Sequence, residues 1–133
     1  MIRLVADTHA LIWYLYSDPR LSPVAGSSMD AADAAGDQIG LSSISLVEIL
    51  YLSEKGRIHP QALERILVEL RRPGARLVEV PLDHIVVEAM RDVDRVRVPD
   101  MPDRIIAATA VHLGVPLVSK DRKIQLAGLA TIW

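Results

Sequence analysis

Ile2-Arg3-Leu4-Val5-Ala6-Asp7-Thr8-His9-Ala10-Leu11-Ile12 is the stretch on which the fold class turns. Residues 2 to 6 lack the polar–apolar alternation of a half-buried strand. That is the pattern of a short central strand in a parallel sheet covered on both faces. Asp7 closes the run, and Asp7 or Thr8 can cap a helix to about Tyr16 with Leu11, Ile12 and Leu15 on one apolar face. A carboxylate at the end of an apolar strand is costly unless something compensates it. The opening residues thus predict both an architecture and a site.

The same alternation continues along the chain. A helix is expected from Ser22 or Pro23 to Ala35, with a proline suited to the first helical position. A strand follows at Ile39 to Ser42, then a helix capped by Ser43 or Ser45 that carries Glu48 and ends at Lys55-Gly56. Pro60 opens a helix to about Arg71. Leu77 to Val80 reads as a strand and Pro81 to Val93 as a helix. Residues 94 to 102 read as a charged loop, and Asp103 opens a helix to Leu113 that Gly114 terminates. Leu117 to Ser119 is a strand, a helical turn runs from Asp121 to Leu126, and the residues Ala130 to Trp133 form an edge strand. Strands alternating with helices imply an α/β protein: a three-layer α/β/α sandwich around a central, mainly parallel sheet. No repeat or linker interrupts it, so residues 1–133 are expected to form a single domain.

Composition narrows the function classes. Half of the 133 residues are hydrophobic and 24% are charged, which is a folded protein. With no Cys, disulfides and thiolate metal centres are excluded, and a cytoplasmic location is the compatible expectation. No basic, apolar, cleavable leader is present, and no apolar stretch reaches the roughly 20 residues that span a bilayer. A net charge of −2 argues against a general duplex binder. A local basic rim remains available from Arg91, Arg95, Arg97, Arg104, Lys120, Arg122 and Lys123.

Asp7, Glu48, Asp103 and Asp121 each interrupt or end an apolar segment. In a parallel sheet, ligands gather at the C-terminal strand ends, where these acids can converge. Several carboxylates at close range raise one another's proton affinity. Mg2+ or Mn2+ relieves that repulsion in an all-oxygen site. One or two such ions would suit phosphodiester hydrolysis. Thr8 and Ser43 could orient water or phosphate, or simply cap helices. Taken singly, Asp7, Asp103 and Asp121 could each be only a cap or a turn. Glu48, among apolar neighbours, is harder to explain that way.

These segments resemble the PIN-domain family, in particular its VapC-type ribonuclease toxins from toxin–antitoxin modules. Leu4-Val5-Ala6-Asp7-Thr8-His9-Ala10-Leu11-Ile12-Trp13 is similar to the first family motif, and Ser42-Ser43-Ile44-Ser45-Leu46-Val47-Glu48-Ile49 to the second. Asp100-Met101-Pro102-Asp103-Arg104-Ile105-Ile106 is similar to the third and Pro116-Leu117-Val118-Ser119-Lys120-Asp121-Arg122 to the fourth. Met101-Pro102 and Lys120 depart from the common pattern without removing an acid. The resemblance implies a PIN-like sandwich in which Asp7, Glu48, Asp103 and Asp121 are the catalytic and metal-binding acids and Asp100 is accessory. It further implies a Mg2+- or Mn2+-dependent endoribonuclease that forms a homodimer and is inhibited by a cognate antitoxin. Arg104, Lys120, Arg122 and His9 are the expected substrate contacts. His9 also reads as a local packing residue, and Trp13 and Tyr16 as core or dimer contacts.

Three other readings compete: a catalytically idle partner-binding module of the same fold, a structure-specific DNA nuclease, and a phosphoaspartate receiver or phosphatase. The last fits poorly, because the first strand ends in a single Asp. The helices near residues 44–55 and 60–71, with Leu46, Leu50 and Ile66, are the expected groove for an antitoxin helix.

Overall fold

The computed structural model describes residues 1–133. Five strands form one sheet: β1 (Ile2–Ala6), β2 (Gln38–Ser42), β3 (Leu77–Val80), β4 (Leu117–Val118) and β5 (Thr131–Ile132). Their order across the sheet is β3-β2-β1-β4-β5, and every neighbouring pair is parallel. Seven helices cover it: α1 (Thr8–Leu15), α2 (Pro23–Ala34), α3 (Ser43–Glu54), α4 (Ala62–Arg71), α5 (His84–Ala89), α6 (Met101–Leu113) and α7 (Arg122–Leu126). A 3-10 turn over Met90–Asp92 extends α5. The chain is therefore the expected α/β/α sandwich.

The strand residues explain the layering. Leu4, Ala6, Ile39, Leu41, Leu77 and Val118 join a core with Ala10 and Leu11 of α1, Ala25 and Met29 of α2, Ile49 of α3 and Ile66 of α4. Val5 and Leu117 point the other way, into a second core with Val86 of α5, Ile105 and Ile106 of α6 and Ile124 of α7. Successive strand side chains take opposite faces, and both faces of β1 are covered. That is why residues 4–6 are uniformly apolar and fully buried. Gly40 on β2 belongs to the same packing. A Cβ there would lie 3.2 Å from Ile2 Cγ2 and 3.4 Å from both Val5 Cγ2 and Val80 Cγ2.

Helix starts differ from expectation at two informative places. Ser42, the last residue of β2, caps α3 by accepting from the Ile44 N–H at 3.2 Å. Ser43 and Ser45 are already inside the helix. Likewise α6 starts before Asp103: Asp100 is its cap, and its Oδ2 accepts from the Asp103 N–H at 3.1 Å. Pro102 lies in the first turn, where its missing N–H has no intrahelical partner to lose.

The segment before α6 is more than a solvated loop. Val93 and Val98 are buried in the second core. Arg104 fastens the segment, donating from Nε to the Val93 carbonyl at 3.0 Å and from Nη2 to the Met90 carbonyl at 2.7 Å. The arginine expected at the substrate rim is therefore a structural strut, because two backbone carbonyls lie within its reach on the far face of the sheet. Charge-assisted hydrogen bonds of this kind carry about 1.5–3 kcal/mol each. Arg104→Ala is expected to lower the unfolding free energy by about 2 kcal/mol, measured as a reduced urea midpoint at unchanged slope.

Candidate active site

The order of the strands locates a crevice. From β1 the chain steps to β2 and β3 on one side, then crosses back to place β4 and β5 on the other. The switch lies between β1 and β4, and a crevice opens there at the carboxyl ends of the strands. Asp7 is the first residue past β1, and its N–H continues the ladder by donating to the Val118 carbonyl at 3.0 Å. Its Oδ1 caps α1, accepting from the Ala10 N–H at 2.9 Å. Asp121 occupies the matching place after β4, capping α7 by accepting from the Lys123 N–H at 2.8 Å. The buried Ser119 accepts from the Asp121 N–H at 3.0 Å and so fixes that turn.

Asp7, Asp103 and Asp121 line one cavity of about 500 Å3 together with His9, Trp13, Arg20 and Lys120. Asp103 reaches it from the first turn of α6. Glu48 lies on the second turn of α3 and does not line this cavity, but it is tied to it. Thr8 Oγ1 donates to Glu48 Oε1 at 2.7 Å and lies 3.0 Å from the buried Ser45 Oγ. A threonine at the start of α1 thus fastens the carboxylate of α3, which is its role in place of capping. Asp7, capping α1, leaves Thr8 free for it.

Electrostatics confirm that the acids feel one another. Asp103 is pushed up to about 7, first by burial and then by Asp100, Asp121 and Glu48. Glu48 is raised by burial, with the Thr8 hydrogen bond opposing and Asp100 and Asp7 adding to the rise. Asp7 is raised by burial, against the pull of the Ser119 hydroxyl, the Ala10 N–H and His9. Asp100 is exposed and stands close enough to act on both Glu48 and Asp103.

The basic side of the cleft differs from expectation. Lys120 and His9 line it; Arg104 does not, and Arg122 is exposed at the start of α7 without lining it. Ser43 is also directed elsewhere, donating to Glu79 Oε2 at 2.6 Å beside β3. Arg20 lines the cleft unforeseen. Asp18 holds it in a fork, accepting from Nε at 3.0 Å and from Nη2 at 2.7 Å. Trp13 gathers the cations: the Arg20 guanidinium lies 5.1 Å and Lys120 Nζ 5.9 Å from its ring, and His9 packs at 5.7 Å. The only local sign of Arg20 is its place directly after Asp18-Pro19, which in sequence reads simply as the stop of the first helix.

No group of three or more His, Asp or Glu side chains already surrounds a single ion position. The donor chemistry nevertheless suits a hard divalent cation, because every acid in the cleft offers only oxygen. Burial raises the proton affinities of Asp7, Glu48 and Asp103, and a bound cation would offset that cost. Asp103 gives this a thermodynamic consequence. Its folded pKa lies above the ordinary carboxylate value, so its contribution to stability is full below about pH 4 and declines as pH rises to about 7. In chelator, Asp103→Asn is expected to raise the thermal midpoint at pH 8 relative to wild type and to have little such effect at pH 4. Parallel melts at the two pH values test this; an equal shift at both would refute it.

Residues 4–128 match the PIN domain family. Ribonuclease VapC22 of Mycobacterium tuberculosis (strain ATCC 25618 / H37Rv) is 28% identical over 125 residues, spanning 94% of this chain and 92% of that protein. Among solved structures, VapBC2 from Rickettsia felis bound to a promoter DNA fragment has a TM-score of 0.70 at 18% identity, with 98% of this chain and 97% of that chain covered. A toxin-antitoxin complex from Klebsiella pneumoniae has a TM-score of 0.68 at 20% identity, with 98% and 96% covered. These structures share the fold. The family match extends from β1 to the residues just past α7, across all the acids of the cleft, and the chain belongs to the PIN domain family.

Proposed function

We propose that residues 1–133 form one catalytic domain, a divalent-metal-dependent endoribonuclease that is the toxin of a toxin–antitoxin pair. The observation that carries this reading is the convergence of Asp7, Asp103 and Asp121 on one cleft, with Glu48 fastened behind it by Thr8. Similarity to a protein named as a ribonuclease supports RNA as substrate. Asp7, Asp103 and Asp121 would hold one or two Mg2+ or Mn2+ ions, with Glu48 and the accessory Asp100 nearby. A bound ion supplies charge neutralisation at the phosphate and acidifies water. The protein's own part is positional. Arg20 and Lys120 attract and orient the phosphodiester opposite the acids, and His9 closes the same wall. Thr8 keeps Glu48 from swinging away.

Asp7→Asn retains the helix cap, since asparagine also caps well, but removes a charge from the cleft. Cleavage of RNA with Mg2+ or Mn2+ is expected to fall ~100-fold or more, beyond the loss usual for a change outside the ligand set. Single-turnover rates measure this, and wild-type cleavage that persists undiminished in chelator would refute the metal dependence.

The partner reading has its own support. Val47, Leu50 and Tyr51 of α3 and Val68 of α4 are exposed apolar side chains. Of the residues expected in an antitoxin groove, Ile66 is only 1% exposed and belongs to the core, Leu46 packs against that core, and Leu50 faces solvent at 42%. An amphipathic antitoxin helix would cover this face. Leu50→Asp is expected to weaken the antitoxin complex ~10-fold or more by calorimetry while RNA cleavage is retained. An idle partner-binding module is the second reading. It is favoured by the same exposed face and by the lack of a preformed three-ligand set.

A further inference from the structure

A second cavity, of about 530 Å3, opens beside the carboxylate cleft and shares His9, Trp13 and Arg20 with it. Its floor is apolar, formed by Ile12, Trp13 and Ile58. Its wall is the stacked pair Tyr16 and His59, with ring centroids 5.2 Å apart. Arg57, just after α3, lines the same cavity as Arg20. The one acid lining the cavity, Asp18, is already engaged with Arg20. That engagement uses two of the five guanidinium N–H groups and leaves the rest to donate. The cavity therefore combines apolar side chains with two arginines, and it joins the cleft through an arginine held in place.

The positive stretch is bounded. Beyond Tyr16 and His59 lies another cavity where Glu64 and Glu69 accompany Arg65 and Arg72. Arg72 is paired there with Glu69 at 3.2 Å. A polyanion leaving the carboxylate cleft thus meets net attraction in the second cavity and little beyond it.

We propose that this second cavity is a nucleotide subsite. It takes one unpaired nucleotide adjoining the phosphodiester in the carboxylate cleft, with the base on the apolar floor against Tyr16–His59 and the phosphate on Arg20 and Arg57. Rigid arginine forks match phosphate oxygens. Since Tyr16 is already stacked on His59 and carries the Arg65 guanidinium 4.6 Å from its ring, the base packs on the apolar side chains and against the edge of that pair. A base inside a duplex is stacked and cannot enter, so the occupant is an unpaired nucleotide. The inference rests on the nuclease reading and adds to it a binding site beside the cleft, with Arg57 as its own residue.

The test uses the full chain carrying Asp7→Asn to stop turnover, with Mg2+ present, and reads fluorescence anisotropy of labelled single-stranded hexamers of A or of U. Arg57→Glu is expected to lower affinity ~10-fold and to flatten the salt dependence by about one phosphate contact. Arg57→Ala should move both in the same direction by less. Arg91→Glu makes the same charge change on the 3-10 turn following α5, away from both cavities, and should have little effect. Equal losses for Arg57→Glu and Arg91→Glu, or no loss in either, would overturn the subsite and leave the cavity to a protein partner. Manganese-dependent hydrolysis of bis(p-nitrophenyl) phosphate by the wild type, a diester small enough for the cleft alone, reports separately on the nuclease reading. Its failure would sink that reading while the anisotropy still decides whether RNA occupies the cavity.

Discussion

The Asp7 side chain must be a helix cap and a half-buried carboxylate at once. Its Oδ1 accepts from the Ala10 N–H, which fixes the angle at which α1 leaves β1. Its backbone N–H is held by β4, which locks the same residue to the strand pairing at the switch point. The carboxylate therefore cannot turn out to solvent without giving up a cap worth about 1 kcal/mol. Thr8 follows from that constraint, since the next residue along begins α1 and points at Glu48. Asp103 and Asp121 then converge on a charge that is already immobile, and their mutual repulsion is a consequence of where the sheet ends.

The opposite wall obeys a different logic. Trp13 is part of the core, yet Arg20 and Lys120 lie over its ring and His9 packs against it. One buried indole thus sets cationic groups from the turn after α1 and from the turn after β4, with the His9 ring of α1 beside them, against the acids. Opposed charge in one cleft would let an overall acidic protein attract the proposed phosphodiester locally. The net charge of −2 is then no obstacle to an anionic substrate.

Much of the fold and the acidic half of the site were legible in the chain itself. The uniformly apolar run before Asp7 announces a strand buried on both faces, and Ser22-Pro23 and Gly114 mark helix ends that the structure shows. Glu48 stands out because a charge among Ile44, Val47 and Ile49 has no local explanation. Local grammar failed where one residue type serves two purposes. Asp100 and Asp103 are both good caps three residues apart, and Ser42, Ser43 and Ser45 are interchangeable by propensity. Only the backbone hydrogen bonds distinguish them.

Sequence alone determined the alternation of strands and helices, the sheet it implies, and which carboxylates are too costly to be incidental, because period and burial are written in residue type. Tertiary structure decided which side chains meet across the crevice. Arg104 looked like a substrate contact by its place beside Asp103, but carbonyls of the preceding segment claim it. Arg20 drew no functional reading in the sequence, but Asp18 and Trp13 hold it in the cleft that the acids line. An arginine's long, flexible side chain can reach many partners. Which one it chooses is set by unsatisfied acceptors brought near by the fold, and neighbours in sequence do not reveal them.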